Sequence, residues 1–459
     1  MDTWYERLST LDSFFLEIED RTAHMHVGAV AIFEGPPPPY RDLLALIGAR
    51  LEHVPRYRQR VMTVPLKQGR PVWIDETQFD LEYHVRHTAL PAPGGDAELK
   101  KLVGRLFSQA LDRDKPLWEM WLVEGLGDSR FAIVSKTHHC MLDGVSGVDL
   151  ATVLMDREPV PSPPPPPPAP WTPRKAPKGP DLLLDSVKEQ LSHPLRLARE
   201  ALESNGEALK LLGQVFSGFK PLVDVVSMGL APESALNVPI GPHRRFEMLE
   251  LPLAKLKAVR AKRRATVNDI LLATVAGGLR SWLTSRGAAP ASDLRVLVPV
   301  SMRTRKERGT YGNQVSAVFC PLPLTEPDPV QRLRKVHDAM MVVKKSGAAV
   351  GAHTLSRLGD FAPPQLLAQA ARLQAVSRMF NLVVTNVPGP QFPLYLLAKR
   401  MLHCFPQVPL AAHQALGIAL LSYDGKVGVG LLGDAEAARD LPELAKAMDA
   451  SLEELHAAG

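Results

Sequence analysis

The chain has 459 residues, 45% of them hydrophobic, enough for two or three domain-sized units with an ample core. Its three cysteines, Cys140, Cys320 and Cys404, lie far apart, which excludes a disulfide framework and points to a reducing, cytoplasmic compartment. The net charge of +5 comes with no nucleic-acid recognition motif, so nucleic acid is excluded as a partner. The opening Met-Asp-Thr-Trp-Tyr-Glu has neither a basic start nor an apolar segment, so no signal peptide is expected. No uncharged apolar run is long enough to cross a membrane.

In chain order, Val27 to Phe33 is a predicted strand, and Tyr40 to Glu52 and Ala97 to Ala110 have helical spacing. Glu119 to Val123 and Phe131 to Thr137 are further strands, and Val145 to Met155 reads as a helix. Between Pro159 and Pro180, twelve of twenty-two residues are proline, which favours an extended, stiff, exposed linker. Asp181 to Phe219 reads as helical, broken at Pro194. Its Leu184, Val187, Leu191, Leu209 and Leu212 are expected to pack on the body, with docking on a membrane surface as the alternative.

The second half begins near Arg245. Phe246 to Leu251 is a strand, and Val267 to Thr284 a helix capped by Thr266. Strands follow at Leu294 to Val300, Gln314 to Leu322 and Leu382 to Thr385. Gly417 to Leu421 and Val427 to Leu432 flank Asp424-Gly425, a two-residue hairpin signal, and a last helix is expected from Asp434 to His456. These elements predict an α/β protein divided into an N-terminal lobe (1–156), a proline-rich linker (157–180), a helical connecting segment (181–244) and a C-terminal lobe (245–459). Gly428-Val-Gly430-Leu-Leu-Gly433 matches a dinucleotide fingerprint, but it sits in a hairpin strand with no βαβ unit after it, so no such cofactor is implied.

The chemistry concentrates in His138-His139-Cys140-Met141-Leu142-Asp143-Gly144, between a strand and a helix. A metal site is disfavoured, because adjacent histidines on a strand project to opposite faces and no second Cys/His cluster follows. The same alternation separates the Cys140 thiol from His139 and argues against a Cys–His nucleophile. A pair of satisfied structural histidines is one reading. The preferred one is a general base at the strand end, with the second imidazole facing the opposite side as a support.

This H-H-x-x-x-D-G stretch resembles the signature of the CoA-dependent acyltransferase superfamily. Pro116-Leu117-Trp118-Glu119, Asn268-Asp269, Leu8 to Phe15 with Met25 to Gly28, Val298 to Arg303, Gly312 to Gln314 and Asn386 to Pro390 narrow the resemblance to the bacterial wax ester synthase/diacylglycerol acyltransferases. Together they cover nearly the whole chain. One departure is Cys140, where that family usually carries a small residue. The resemblance implies a two-lobed pseudo-dimeric fold, each lobe a mixed sheet flanked by helices, with an active-site channel between them. It implies transfer of a long-chain acyl group from acyl-CoA to a fatty alcohol or diacylglycerol.

It selects His139 as the base, with His138, Asp143 and Gly144 completing the site and Asp143 as an architectural ion-pair residue. Asn268, with Thr385 and Asn386 behind it, is a candidate oxyanion donor. Asp269, Trp118 and Arg303 are further candidate substrate-binding residues, although the segment Pro116 to Trp118 equally suits plain packing. No cofactor or metal is expected, since acyl-CoA is a substrate. The basic groups Lys255 to Arg264 and Arg303 to Arg308 read as solvated faces, or as contacts to anionic lipid or CoA phosphates on a membrane or lipid-droplet surface. The competing functions are an acyltransferase of the same superfamily with a polyketide or carrier-bound acceptor, and a catalytically silent lipid-binding protein.

Overall fold

The computed structural model describes residues 4–141, 153–159, 171–189, 229–301, 315–345 and 379–458. The first half runs β1 (Glu6–Arg7), α1 (Thr10–Ile18), β2 (His26–Phe33), α2 (Tyr40–Arg50), β3 (Gln59–Met62), β4 (Val72–Asp75), α3 (Leu81–His84), β5 (Val85–Ala89), α4 (Asp96–Phe107), β6 (Trp118–Leu126) and β7 (Arg130–His138). The second half begins with β8 (Arg244–Pro252), α5 (Leu253–Lys262), α6 (Val267–Ser285), β9 (Leu294–Ser301), β10 (Val315–Leu322) and α7 (Pro329–Lys345). It ends with β11 (Leu382–Pro388), β12 (Tyr395–Leu396), β13 (Lys399–Gln407), β14 (Leu416–Tyr423), β15 (Lys426–Asp434) and α8 (Leu441–Ala457).

Two six-stranded mixed sheets carry these elements, ordered β12-β13-β2-β7-β6-β5 and β10-β9-β11-β14-β15-β8, with a small β1-β4-β3 sheet beside the first. The α/β class and the mixed sheets flanked by helices agree with the sequence. α6 is apolar almost all round and is buried accordingly, with its first turn closed by the Thr266–Asp269 capping box. Asp424 and Gly425 both take positive φ, the geometry that a two-residue hairpin between β14 and β15 needs.

The lobes do not follow the sequence boundaries. β12 and β13 belong to the C-terminal half in sequence, yet β13 pairs antiparallel with β2 of the first sheet, Gln407 opposite Gly28. No strand signal stands out at 399–407, where polar residues and Pro406 break the alternation. A C-terminal lobe drawn as 245–459 is therefore corrected: its strands β12 and β13 are lent to the other lobe. β13 also crosses β15 closely. A Cβ built on Gly428 would lie 1.9 Å from the Cys404 carbonyl oxygen, and one on Gly430 1.8 Å from that of Pro406. The dinucleotide-like glycines are thus explained by the approach of two backbones.

α4 fills the other seam. Phe107, Leu99 and Val103 share one buried cluster with Phe246, Leu410 and Leu432 from the second half. Burying a side chain such as Phe107 stabilises by about 1.5–3 kcal/mol.

Three further expectations change. The linker is pinned where it is described: Arg174 grips Asp75 through Nε and Nη2, both at 2.9 Å, and through its backbone N–H at 3.0 Å. Residues 179–189 are helical, with Leu182 buried and Leu184 and Val187 exposed, whereas 229–243 contains no helix. The last helix starts at Leu441 because β15 continues to Asp434, whose carboxylate accepts from the Glu436 and Ala437 N–H groups and turns the chain. Most of the expected helix at Val145 to Met155 and most of Asp181 to Phe219 lie outside the described residues; Val153 and Leu154, which are described, are helical.

A Gly430→Val change tests the seam between β13 and β15. It should lower stability by at least about 1–3 kcal/mol, read as a fall in thermal midpoint, since neither backbone has room to yield. An unchanged midpoint would show that the seam is slack.

Candidate active site

β7 delivers both histidines and then stops. His138 is its last residue, and residues 139–141 form a single 3₁₀ turn. The turn is tied on both sides: the His138 N–H donates to Leu117 O and the His139 N–H to Met25 O, each at 2.8 Å.

Both imidazoles meet the same helix. The His139 ring stacks on Phe15 of α1, with centroids 3.8 Å apart and planes 27° apart. His138 Nε2 lies 3.0 Å from Oε2 of Glu19, the residue that ends α1. Phe15 and Glu19 are one helical turn apart, so they share a face. The expected opposition of the two histidines is corrected here. Strand alternation applies only while the strand lasts, and the 3₁₀ turn swings His139 back toward α1.

His139 keeps partial exposure while atoms crowd its ring. Burial, followed by the neighbouring His138, pushes its pKa down to about 4, so the imidazole is neutral near pH 7. Burial alone would raise the Glu19 carboxyl. The His138 hydrogen bond, the Met25 N–H at 3.0 Å and the Arg113 guanidinium at 3.2 Å outweigh it and hold the group at about 2. Cys140 is buried, and desolvation with the Asp12 and Glu19 charges lifts its thiol well above the usual range. Burial thus favours the neutral thiol over the thiolate.

Further along β7, Lys136 is 0% exposed. Its ammonium lies 3.1 Å from a Glu119 carboxylate oxygen and donates to Leu106 O and Gln109 O, also at 3.1 Å.

The remaining sequence candidates divide. The Asn386 amide donates to Asn268 Oδ1 at 3.1 Å, so β11 and the start of α6 meet through these two side chains. Thr385 precedes Asn386 on β11, opposite Ala419 of β14. Among the described residues, no hydrogen bond links this group to the histidines. Trp118 is reassigned to packing: it is buried, its indole N–H donates to Tyr57 O at 2.8 Å and its ring stacks on His84. Asp269 is likewise structural, because its carboxylate accepts from Thr266 N–H at 2.8 Å and pairs with His337 at 2.8 Å. Asp143, Gly144 and Arg303 lie outside the described residues. No group of three or more His, Cys, Asp or Glu suited to a metal occurs among the described residues.

Sequence reasoning missed Glu19 and Phe15. A signal existed for Glu19: a carboxylate at a helix C-terminus opposes the macrodipole and calls for a compensating partner.

Acid should destabilise the fold over a defined window. His26, His84 and His139 are all held below the ordinary 6.5, chiefly by burial, His84 and His139 at about 4. The unfolded chain then binds more protons between these values, so stability present above pH 6.5 is lost as pH falls toward 4. Urea midpoints measured across pH 4 to 8 check this; a flat profile would contradict the neutral, buried imidazoles.

Comparison with known proteins shows the family and the fold. Residues 8–271 match the wax ester synthase/diacylglycerol acyltransferase catalytic domain, and residues 311–456 match the WS/DGAT C-terminal domain. The probable diacylglycerol O-acyltransferases tgs1 and tgs2 of Mycobacterium tuberculosis are 33% and 34% identical. These alignments cover 96% and 97% of this chain, and 94% and 98% of the relatives. The wax ester synthase/diacylglycerol acyltransferase from Marinobacter aquaeolei VT8 is 28% identical, with a TM-score of 0.68 over 99% of both chains. The first condensation domain of the CDA synthetase shares the fold at 15% identity, with a TM-score of 0.58 over 99% of this chain and 97% of that one. With both of its domain types matched along nearly its full length, the chain belongs to the wax ester synthase/diacylglycerol acyltransferase family.

Proposed function

We propose that this chain moves a long-chain acyl group from acyl-CoA to the hydroxyl of a fatty alcohol or a diacylglycerol, with His139 as the general base. The observation that carries this is an imidazole on a turn at the end of β7, tied to Leu117 and Met25 just ahead of β6 and β2 and stacked on Phe15, in a chain of this family. The alcohol oxygen attacks the thioester carbonyl while His139 takes its proton. The tetrahedral intermediate then expels the CoA thiolate, and His139 returns the proton to that sulfur. A C–O bond forms and a C–S bond breaks, with no acyl-enzyme. A positioned base contributes about 10²–10⁴-fold. The amide N–H groups of Asn268 and Asn386 are the candidate donors to the oxyanion.

Purified enzyme with palmitoyl-CoA should release free CoA only when hexadecanol or dioleoylglycerol is added, and yield the matching ester. His139→Ala should lower turnover by about two or more orders of magnitude, and His138→Ala by less. Cys140→Ala should keep most activity. A palmitoyl adduct on Cys140 that is consumed on adding alcohol would replace this scheme with a covalent one. Products formed only with a carrier-bound acceptor would move the chain to the related acyltransferase reading, and CoA release with no acceptor to a hydrolase. Full activity of His139→Ala would remove the base.

The lipid substrates partition into membranes, and no helix among the described residues is long and apolar enough to cross one. Reversible surface docking fits the exposed Leu66, Leu184 and Val187 and the exposed Lys257, Lys262 and Arg264. Part of the basic stretch serves the fold instead: Lys255 pairs with Glu453, and Arg263 donates to Ala458 O at 2.7 Å. Binding to anionic liposomes should weaken as salt rises, and should fall when Lys257, Lys262 and Arg264 are changed together to Glu. Binding that ignores both would assign these residues to solvent or to CoA phosphates.

A further inference from the structure

The hydrogens around His138 can be counted. A backbone amide always carries its hydrogen, and the Cys140 N–H lies 3.1 Å from His138 Nδ1. Nδ1 must therefore accept, which places the single ring hydrogen of a neutral imidazole on Nε2. That hydrogen faces Glu19 Oε2 at 3.0 Å. The other Glu19 bonds fix its orientation: Oε2 also accepts the Met25 N–H at 3.0 Å, while Oε1 accepts from Arg113 Nε at 3.3 Å and Nη2 at 3.2 Å. A carboxylate so placed has only acceptor sites to offer. It accordingly favours the Nε2–H form of the ring over the Nδ1–H form.

The consequence reaches the next residue. His139 sits between two anchored amides, its own bonded to Met25 O at 2.8 Å and that of Cys140 bonded to His138 Nδ1. In the other tautomer, Nδ1–H would confront the Cys140 N–H. The bond would be lost, two donors would repel and the 3₁₀ turn would move. A base displaced by about 1 Å loses on the order of a hundredfold in rate.

We infer that Glu19 is a positioning residue for the acyl transfer: it fixes the His138 tautomer, which clamps the Cys140 amide and holds His139 in one geometry. The inference rests on the reading of His139 as the base. No proton is transferred to Glu19, and no substrate need touch it.

The full chain, labelled with [15N]histidine, supplies a readout separate from activity. In the wild type, His138 should give the ring-nitrogen pattern of a single Nε2–H tautomer. Glu19→Gln brings an amide that can either donate or accept, so that pattern should become mixed. Turnover should fall about ten- to a hundredfold, by analogy with the loss seen when the hydrogen-bond partner of a metal-binding histidine is removed, with the Michaelis constant for palmitoyl-CoA within about twofold of wild type. An unchanged tautomer and unchanged turnover would overturn the inference.

Should Glu19→Gln fail to fold, two His138 variants decide. The Asn side chain in His138→Asn can present its oxygen where Nδ1 stood and accept the Cys140 N–H, whereas His138→Gln reaches toward Glu19. Asn should restore turnover well above Gln; equal or reversed activities would sink the tautomer clamp. Failure of the base reading looks different: His139→Ala would be active while the Glu19-dependent tautomer remained visible by NMR.

Discussion

Ionisable side chains buried on β7 are the constraint from which the site follows. Lys136 and His138 point into the protein from the central strand pair of the N-terminal sheet, and each must find partners: desolvating the Lys136 charge costs several kcal/mol, and a buried imidazole left unpaired is also costly. Lys136 meets Glu119 across the β6–β7 pair and the carbonyls of Leu106 and Gln109 at the end of α4. An ammonium at a helix C-terminus also complements the macrodipole. His138 meets Glu19 at the end of α1. Two buried polar groups on one strand thus fix where two helices end, and one of those helices supplies Phe15 to the His139 ring.

The same placement of α4 ties the lobes together. A Cβ on Gly104 would lie 2.8 Å from the Arg244 carbonyl oxygen, so α4 abuts β8 of the second sheet directly. The Arg244 N–H donates to Ser108 Oγ at 2.8 Å, just past the helix end. On the far side, β13 crosses from the second half into the first sheet over Gly428 and Gly430. The lobes therefore share a helix seam and an exchanged strand, each with backbones in close approach.

Much of this was legible in the sequence. β7, its partner strands, the Thr266 cap and the Asp424-Gly425 hairpin all carry local signals, namely alternation, a capping residue and turn chemistry. The two histidines of the H-H-x-x-x-D-G stretch do fall at the end of a buried strand, as the alternation before them predicted. What escaped was non-local. β13 has no clean alternation, because one of its faces contacts β15 and the other side of the strand pairs with β2. The roles of Trp118 and Asp269 follow from partners far away in sequence, Tyr57 and His337, which no spacing rule reaches. Glu19 belongs with these: its partner His138 is 119 residues away. The swing of His139 toward α1 was hidden for a different reason. Alternation was extended one residue beyond the strand that justifies it.

Under the proposed mechanism, the low basicity of His139 creates a tension that its surroundings help to resolve. A base with a pKa of about 4 is neutral and ready at pH 7, but it has a weak hold on the proton it takes. The cation exists only while the alcohol attacks, so a group that favours the cation acts on the transition state and not on the resting enzyme. Phe15 meets that requirement. Its ring face lies 3.8 Å from the imidazole centroid, where the aromatic quadrupole attracts positive charge by roughly 0.5–2 kcal/mol and gives a neutral ring only stacking. Burial sets the resting state and the Phe15 ring assists the charged one, so under this mechanism the N-terminal helix that packs the site also serves its chemistry.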